Sequence, residues 1–318
     1  MERKNQVVVS GYVSMDQILH ISTPAKVGYT SLITNKSNTR IYYGGCSVNI
    51  AYGLTRLGYE AAPILRVGKD YEENGFKKFL EEEGVFMEGI QVLEDENTST
   101  CYLLQDNHNE HITIFYPGSM DEKYAQPPED KLFENAKLAV MTVASKKDNE
   151  YFFAKVVEHK IPLVFGMKDD FSAFPKEFLE QILHASHIIF VNEVERQMIE
   201  EMYGFEEITE LFDKGKVEII ITTKGKEGSV CYHKTTDGIQ IEEIGIVAVD
   251  KVLDATGSGD AYMAGFLAGY LEGKSCKECC QQGALLSYFV LQKEGCCTNV
   301  PTKEVFEEKY QEIFGRMR

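Results

Sequence analysis

Asp254-Ala255-Thr256-Gly257-Ser258-Gly259-Asp260 lies between an apolar run, Ile244 to Val249, and a helical stretch that begins Ala261-Tyr-Met-Ala-Gly-Phe-Leu-Ala-Gly-Tyr. Two glycines and two small hydroxyl residues make a loop that can turn several backbone N–H groups toward one point at a helix start. Such a point suits an anion, above all a phosphate. A carboxylate there would repel the phosphate. Asp260 makes sense if it faces the group that attacks the phosphate, which is what a small-molecule kinase needs. The same residues also suit a glycine-rich helix cap whose first-turn Asp complements the helix dipole, and the loop alone does not choose between the two.

The chain has 318 residues, 43% of them hydrophobic, with no Trp and a net charge of −17. That length can bury a large core. The acidity argues against nucleic acid or an anionic membrane as partner, since both need basic surface. An anionic substrate then needs local N–H groups and a metal. Met1-Glu-Arg-Lys-Asn-Gln leads only into the short run Val7-Val8-Val9, too short for a secretory segment, and no stretch is long enough to span a membrane. A cytoplasmic location is expected. Eight cysteines fit that compartment; Cys276-x-x-Cys279 could hint at a metal or redox pair, but it falls in a predicted helix, and no tightly bound structural metal is expected.

Short β-branched runs alternate with amphipathic helices. Strands are predicted at Val7–Ser10, Ile64–Val67, Leu138–Val143, Pro162–Phe165, His187–Val191 and Val217–Thr222. Helices are predicted at Val48–Leu57, Glu72–Glu83, Tyr151–His159, Glu193–Tyr203, Asp260–Leu271 and Cys276–Lys293. Near-continuous apolar strands between helices indicate an α/β fold: a mostly parallel sheet covered by helices on both faces, in one large domain over residues 1–318. Two stretches, about 28–43 and 98–116, read instead as strand pairs with no helix between them. Asp106-Asn-His-Asn-Glu110 forms the polar turn of the second. They suggest a small β-sheet lid, or else an edge extension of the main sheet.

Four further motifs each follow a predicted strand. Asp16, in Ser10-Gly-Tyr-Val-Ser-Met-Asp16, puts a carboxylate after the first strand, where it is well placed for a ligand, or caps a turn. Gly44-Gly45-Cys-Ser-Val-Asn49 permits close backbone approach and puts an amide on the first turn of a helix, or is a tight turn. Asn192-Glu-Val-Glu195 by itself reads as a capping box at a helix start. Thr223-Lys224-Gly225-Lys-Glu-Gly228 by itself reads as a hairpin turn. Ala268-Gly-Tyr-Leu-Glu-Gly-Lys-Ser275 fits a relaxed P-loop pattern but continues a helix, and Gly257-x-Gly259-x-x-Tyr262 lacks the third glycine of a dinucleotide fingerprint.

In order and spacing these motifs resemble the ribokinase-like (PfkB) family of carbohydrate and nucleoside kinases, whose glycine-rich motif is Asp-Thr-x-Gly-x-Gly-Asp. This chain departs from it at Ala255. The resemblance implies that Asp260 is the catalytic base and that Gly257, Ser258 and Gly259 form the phosphate cradle. It implies that Asp16, Gly44, Gly45 and Asn49 hold substrate hydroxyls. Asn192, Glu195, Thr223, Lys224, Gly225, Gly228, Asp254 and Thr256 would serve ATP and Mg2+, with a K+ requirement left open. The likeness is weakest after Lys274, where Cys276-Lys-Glu-Cys-Cys-Gln-Gln replaces an Ala/Asn-rich helix, so adenine contacts there are in doubt.

The run Tyr43-Gly-Gly-Cys-Ser-Val-Asn-Ile-Ala-Tyr and the later Phe115-Tyr-Pro-Gly-Ser-Met120 look most like the bacterial adenosine-kinase-like branch. Tyr29, Tyr42, Tyr43, Phe115 and Tyr116 could stack on a base or pack within the lid. Lys26, Lys36 and Arg40 are the cations available for a substrate phosphate. The expected activity is ATP-dependent phosphorylation of a nucleoside 5′-hydroxyl, adenosine first. A sugar kinase is the alternative, and a non-catalytic ligand-binding member of the fold is a second. A homodimer through the lids is implied by resemblance only.

Overall fold

The computed structural model describes residues 6–108 and 110–315. Met1–Asn5 and Asn109, the fourth residue of the expected turn, lie outside them. The chain runs through β1 (Val7–Ser10), β2 (Ser14–His20), β3 (Tyr42–Gly44), α1 (Cys46–Arg56), β4 (Ala61–Gly68), α2 (Phe76–Glu82), β5 (Ile90–Leu93), β6 (Thr100–Gln105), β7 (His111–Tyr116), β8 (Leu138–Met141) and α3 (Lys146–Glu158). It continues with β9 (Leu163–Gly166), α4 (Lys176–Ala185), β10 (Ser186–Asn192), α5 (Glu193–Tyr203), β11 (Ile219–Thr223), β12 (Ser229–Thr235), β13 (Gly238–Ile244), α6 (Ser258–Leu271), α7 (Cys276–Val290) and α8 (Lys303–Phe314).

Successive residues of a strand face opposite sides of its sheet, and here both sides are dry. Val7 and Val9 join one core, while Val8 joins the other. Ile219 and Ile221 divide from Ile220 in the same way. Residues of α1, α6 and α7 fill the first core, and residues of α3, α4 and α5 fill the second. The nine-stranded sheet has the order β13-β12-β11-β10-β9-β8-β1-β4-β5. Strands from β5 to β11 in that order pair in parallel; β12 and β13 pair antiparallel at one edge. The strand order reverses at β1, where β4 lies on one side and β8 on the other. Ligands of such sheets bind beyond the carboxyl ends of the strands, near the point of reversal.

A separate four-stranded sheet has the order β3-β2-β6-β7. The segment 98–116 supplies the hairpin β6–β7, as its alternation predicts. The segment 28–43 differs from expectation: only Tyr42–Gly44 is a strand, and the rest is loop apart from one bridge, Ile21 to Ile33. The missing strand comes from Ser14–His20, which pairs parallel with β6. That pairing joins residues far apart in sequence, so no local turn announces it. The apolar run Ile244–Val249 also changes role after its first residue, leaving the sheet as a loop. The P-loop-like stretch is helical up to Leu271, and Cys279 is buried on α7. Among the described residues no helix is long and apolar enough to cross a membrane.

Candidate active site

The chain leaves the main sheet at Ser10, enters the small sheet at Ser14, and so carries Asp16 over the carboxyl end of β1. Asp16 is only 6% exposed and accepts a short hydrogen bond from the Ser14 hydroxyl. Burial pushes its carboxyl up to about 7, against the pull of Ser14; Asp254 and Asp260 push it further. Gly45 caps α1 with φ +93°, and a Cβ there would stand 2.3 Å from the Tyr12 carbonyl oxygen, so only glycine fits. This turn starts α1 beside Asp16 and aims Asn49, one turn in, at the same cleft.

Gly257 caps α6 with φ +73°, and a Cβ there would meet Cys296 Sγ at 2.6 Å. The Ser258 N–H, expected in the cradle, donates instead to the Ala255 carbonyl at 3.2 Å. Among the described residues the N–H groups of Gly257, Gly259 and Asp260 have no acceptor, and those of the two glycines are open donors of the loop. Asp254 accepts from Thr256 N–H at 2.8 Å and from Gly295 N–H at 2.9 Å, which ties the loop to the segment after α7. Asp260, on the first turn of α6 and 6% exposed, accepts from Asn49 Nδ2 at 2.8 Å. Asn49 Oδ1 faces the Cys297 thiol at 3.6 Å.

Asp16, Gly45, Asn49, Asp254, Thr256, Gly257 and Asp260 share a cleft of about 1070 Å3. Gly44 adjoins it, since a Cβ there would stand 2.8 Å from Asp16 Oδ2. The small sheet covers one side of the cleft with Ile18, Leu103, Gln105 and Phe115. Of the five aromatics that could stack on a base or pack within the lid, only Phe115 lines the cleft, edge-on to Tyr12 at 5.0 Å. Tyr29 is exposed, Tyr42 bonds Glu294, Tyr43 packs on Phe76 and Phe79, and Tyr116 bonds Glu96. Arg40 lies over Tyr42, and Lys26, Lys36 and Arg40 do not line the cleft.

A second pocket, of about 330 Å3, adjoins the first at Val252 and Ala255. Thr223, Gly225 and Gly228 line it, with Ser258 and Gly259 at the loop and Ile246, Val247, Tyr262, Ala284 and Tyr288 as apolar wall. Lys224 is outside this lining; its N–H closes the turn on Gly228 O at 2.8 Å. The displaced apolar run thus forms a pocket wall rather than a strand, and α7, doubtful from its composition, supplies another. The loop 254–260 stands between the two pockets, with Gly257 in one and Gly259 in the other.

Asn192 and Glu195 form the capping box of α5, with bonds of 2.8 and 2.7 Å. Burial raises the Glu195 carboxyl above its ordinary value, opposed by the Asn192 N–H and Lys168. Three cleft residues carried no sequence signal. Cys46 touches Asp260, and burial with that carboxylate pushes its thiol up to about 12. Cys296 lies under Gly257. Lys168, after β9, is held above the ordinary lysine range by Cys46 and by the Asp260 carboxylate.

The profile of the pfkB family carbohydrate kinases matches residues 4–303. A nucleoside kinase of Methanocaldococcus jannaschii is 27% identical over 310 residues, covering 97% of this chain and 98% of its own. A nucleoside kinase of Methanothermobacter thermautotrophicus is 27% identical over 309 residues, 95% of this chain and 94% of its own. The crystal structure of the M. jannaschii nucleoside kinase, an archaeal member of the ribokinase family, superposes with a TM-score of 0.86 over 98% of this chain and 100% of that one. A Burkholderia thailandensis nucleoside kinase in complex with inosine has the same fold at 22% identity, with a TM-score of 0.84 over 97% of this chain and 99% of that one. The chain belongs to the pfkB family, and it is a phosphotransferase with an alcohol group as acceptor.

Proposed function

We propose that the protein is a cytoplasmic nucleoside kinase that transfers the ATP γ-phosphoryl group to a 5′-hydroxyl. One observation carries this reading: the Asp260 carboxylate lies in the larger cleft while the loop leading into it opens on the smaller pocket. The larger cleft then takes the acceptor and the smaller takes the nucleotide. At about 1070 Å3 the acceptor cleft exceeds what a free sugar needs, and Ile18, Leu103 and Phe115 offer an apolar site for a base. The two nucleoside kinases that align along the whole chain favour the same class.

Asp16 accepts the two hydrogen bonds of a ribose diol. Asn49 holds Asp260 in orientation, and Asp260 holds the 5′-hydroxyl and takes its proton. An aspartate is a weak base for an alcohol, so the proton leaves with or after formation of the new P–O bond. Positioning and electrostatics then supply most of the rate. The Gly257 and Gly259 N–H groups face the charge on the transferring oxygens.

Glu195 and Asp169, close enough for Asp169 to push the Glu195 carboxyl up, would offer the hard oxygen donors that suit hydrated Mg2+. An ion held there would supply positive charge to offset that of the ATP phosphates. The small sheet acts as a lid that keeps water from the reacting groups. Its edge strand β7 exposes Ile112 and Ile114, which suits a homodimer formed through the lids.

An ADP-release screen over purine and pyrimidine nucleosides and free sugars tests the proposal. Turnover with a nucleoside, adenosine first, is expected. A strong response to ribose or fructose with none to any nucleoside would overturn it.

A further inference from the structure

The loop after β9 places a cation where no motif asks for one. Lys168 lies at the carboxyl end of the parallel sheet, between the ends of β8 and β10, and lines the cleft with Cys46, Gly257 and Asp260. The carboxylates of Asp260, Glu195 and Asp169 surround it, yet none comes within 4 Å. Among the described residues Lys168 has neither an ion pair nor a hydrogen bond. Elsewhere the chain matches its buried cation closely: Arg66 meets both oxygens of Asp148, at 2.6 and 2.8 Å, and the Ser119 carbonyl at 2.8 Å. A half-buried ammonium left without a partner is unfavourable unless an anion is to occupy the gap.

The surroundings say which anion. Asp16, Asp254, Asp260 and Glu294 line the cleft, so a triphosphate entering beside them meets strong repulsion. The loop amides are neutral dipoles. Lys251 is the other lysine in the lining, and it is exposed on the loop before Asp254. Lys168 is the one full positive charge among the described cleft residues that faces Asp260 from within.

We propose that Lys168 is a catalytic residue whose ammonium binds the non-bridging oxygens of the phosphoryl group in transit and screens them from Asp260. This rests on the kinase reading above. In the step the acceptor oxygen forms a bond to the γ-phosphorus. The bond from that phosphorus to the β,γ-bridging oxygen breaks, and its electron pair leaves on ADP. The acceptor proton goes to Asp260. Lys168 stays protonated throughout and works by charge alone.

The test is steady-state kinetics of the full chain with Mg-ATP and the best nucleoside of the screen. Lys168→Met is expected to lower kcat by about 100- to 1000-fold while the nucleoside KM stays within about threefold. Lys168→Arg should keep at least about a tenth of the turnover, because it keeps the charge. Ethylammonium added to Lys168→Ala should restore turnover saturably. If Lys168→Met does not melt cooperatively, Lys168→Gln replaces it and must show the same loss. A folded Met or Gln variant with kcat within threefold of the unaltered protein would overturn the inference, as would a loss confined to nucleoside KM. If the unaltered protein phosphorylates neither nucleosides nor sugars, the kinase reading itself fails. Activity in both proteins removes only the role of Lys168.

Discussion

Asn49 Nδ2 donates to Asp260 Oδ2 at 2.8 Å, joining the first turns of α1 and α6 across 211 positions of sequence. Both side chains are buried, at 8% and 6% exposure. The bond fixes one carboxylate oxygen, and Cys46 lies against the same carboxylate. One helix therefore holds in place the carboxylate that the other carries.

Replacing Asp260 by Asn removes the proton acceptor with almost no change of shape. Turnover is expected to fall by roughly 100- to 10,000-fold, with nucleoside affinity and melting temperature close to those of the unaltered protein. Near-normal kcat in a folded Asp260→Asn variant would remove the assignment.

Asp16 gives a pH dependence with a definite sign. Its carboxyl is raised to about 7 in the folded protein, against 3.8 ordinarily. The folded state therefore holds a proton between about pH 4 and pH 7 that the unfolded chain has released. Stability from this group is full below about pH 4 and is lost as pH rises through 7, by on the order of 4 kcal/mol. Asp16→Asn should gain in melting temperature over the unaltered protein between pH 4 and pH 8. If Asp16 holds the diol as proposed, catalysis runs the other way, because only the ionised carboxylate accepts both hydroxyls. The nucleoside KM should be several-fold higher at pH 6 than at pH 8, and a flat KM across that range would contradict the role.

Gly257→Ala should damage the loop twice over. The position has φ +73°, which costs an alanine about 1 kcal/mol, and the new methyl would stand 2.6 Å from Cys296 Sγ. Displacing the loop moves the open N–H groups away from the phosphate, so kcat should fall by about 100-fold or more while nucleoside binding, measured by calorimetry, persists. Loss of nucleoside binding with kcat retained would place the loop in acceptor recognition instead.

Glu195→Gln keeps an acceptor for the Asn192 N–H and so keeps the start of α5, but removes a negative charge. The Mg2+ concentration needed for half-maximal rate should rise by about tenfold or more with the melting temperature nearly unchanged. An unaltered Mg2+ dependence, with a drop in stability, would leave Glu195 a capping residue only.

Local patterns carried most of the fold. The runs around Val7, Ile189 and Ile220 read as strands because each is apolar on both faces, and the structure places a helix layer on each side. Local patterns also carried Asp16, Asn49 and Asp260, since each stands at the junction of a strand or glycine turn with the next element. Lys168 was invisible: Gly166-Met-Lys-Asp169 has no capping, turn or binding pattern, and its meaning comes from β10 and α6 beside it. Tyr12 lines the cleft and Tyr29 is exposed for the same reason, because ring position depends on which strands pair in the small sheet.

By itself the chain determined its elements and the residues at their ends, because hydrophobic period and glycine turns act over a few residues. Its net charge of −17 also argued against a basic surface suited to nucleic acid or an anionic membrane. The tertiary structure alone decided which ends meet. The parallel order around β1, the pairing of β2 with β6, and the approach of α1 to α6 brought Asp16, Asn49, Lys168 and Asp260 into one cleft. Contacts across 100 or 200 residues follow from how whole layers bury their apolar faces, and no short stretch of sequence records that outcome.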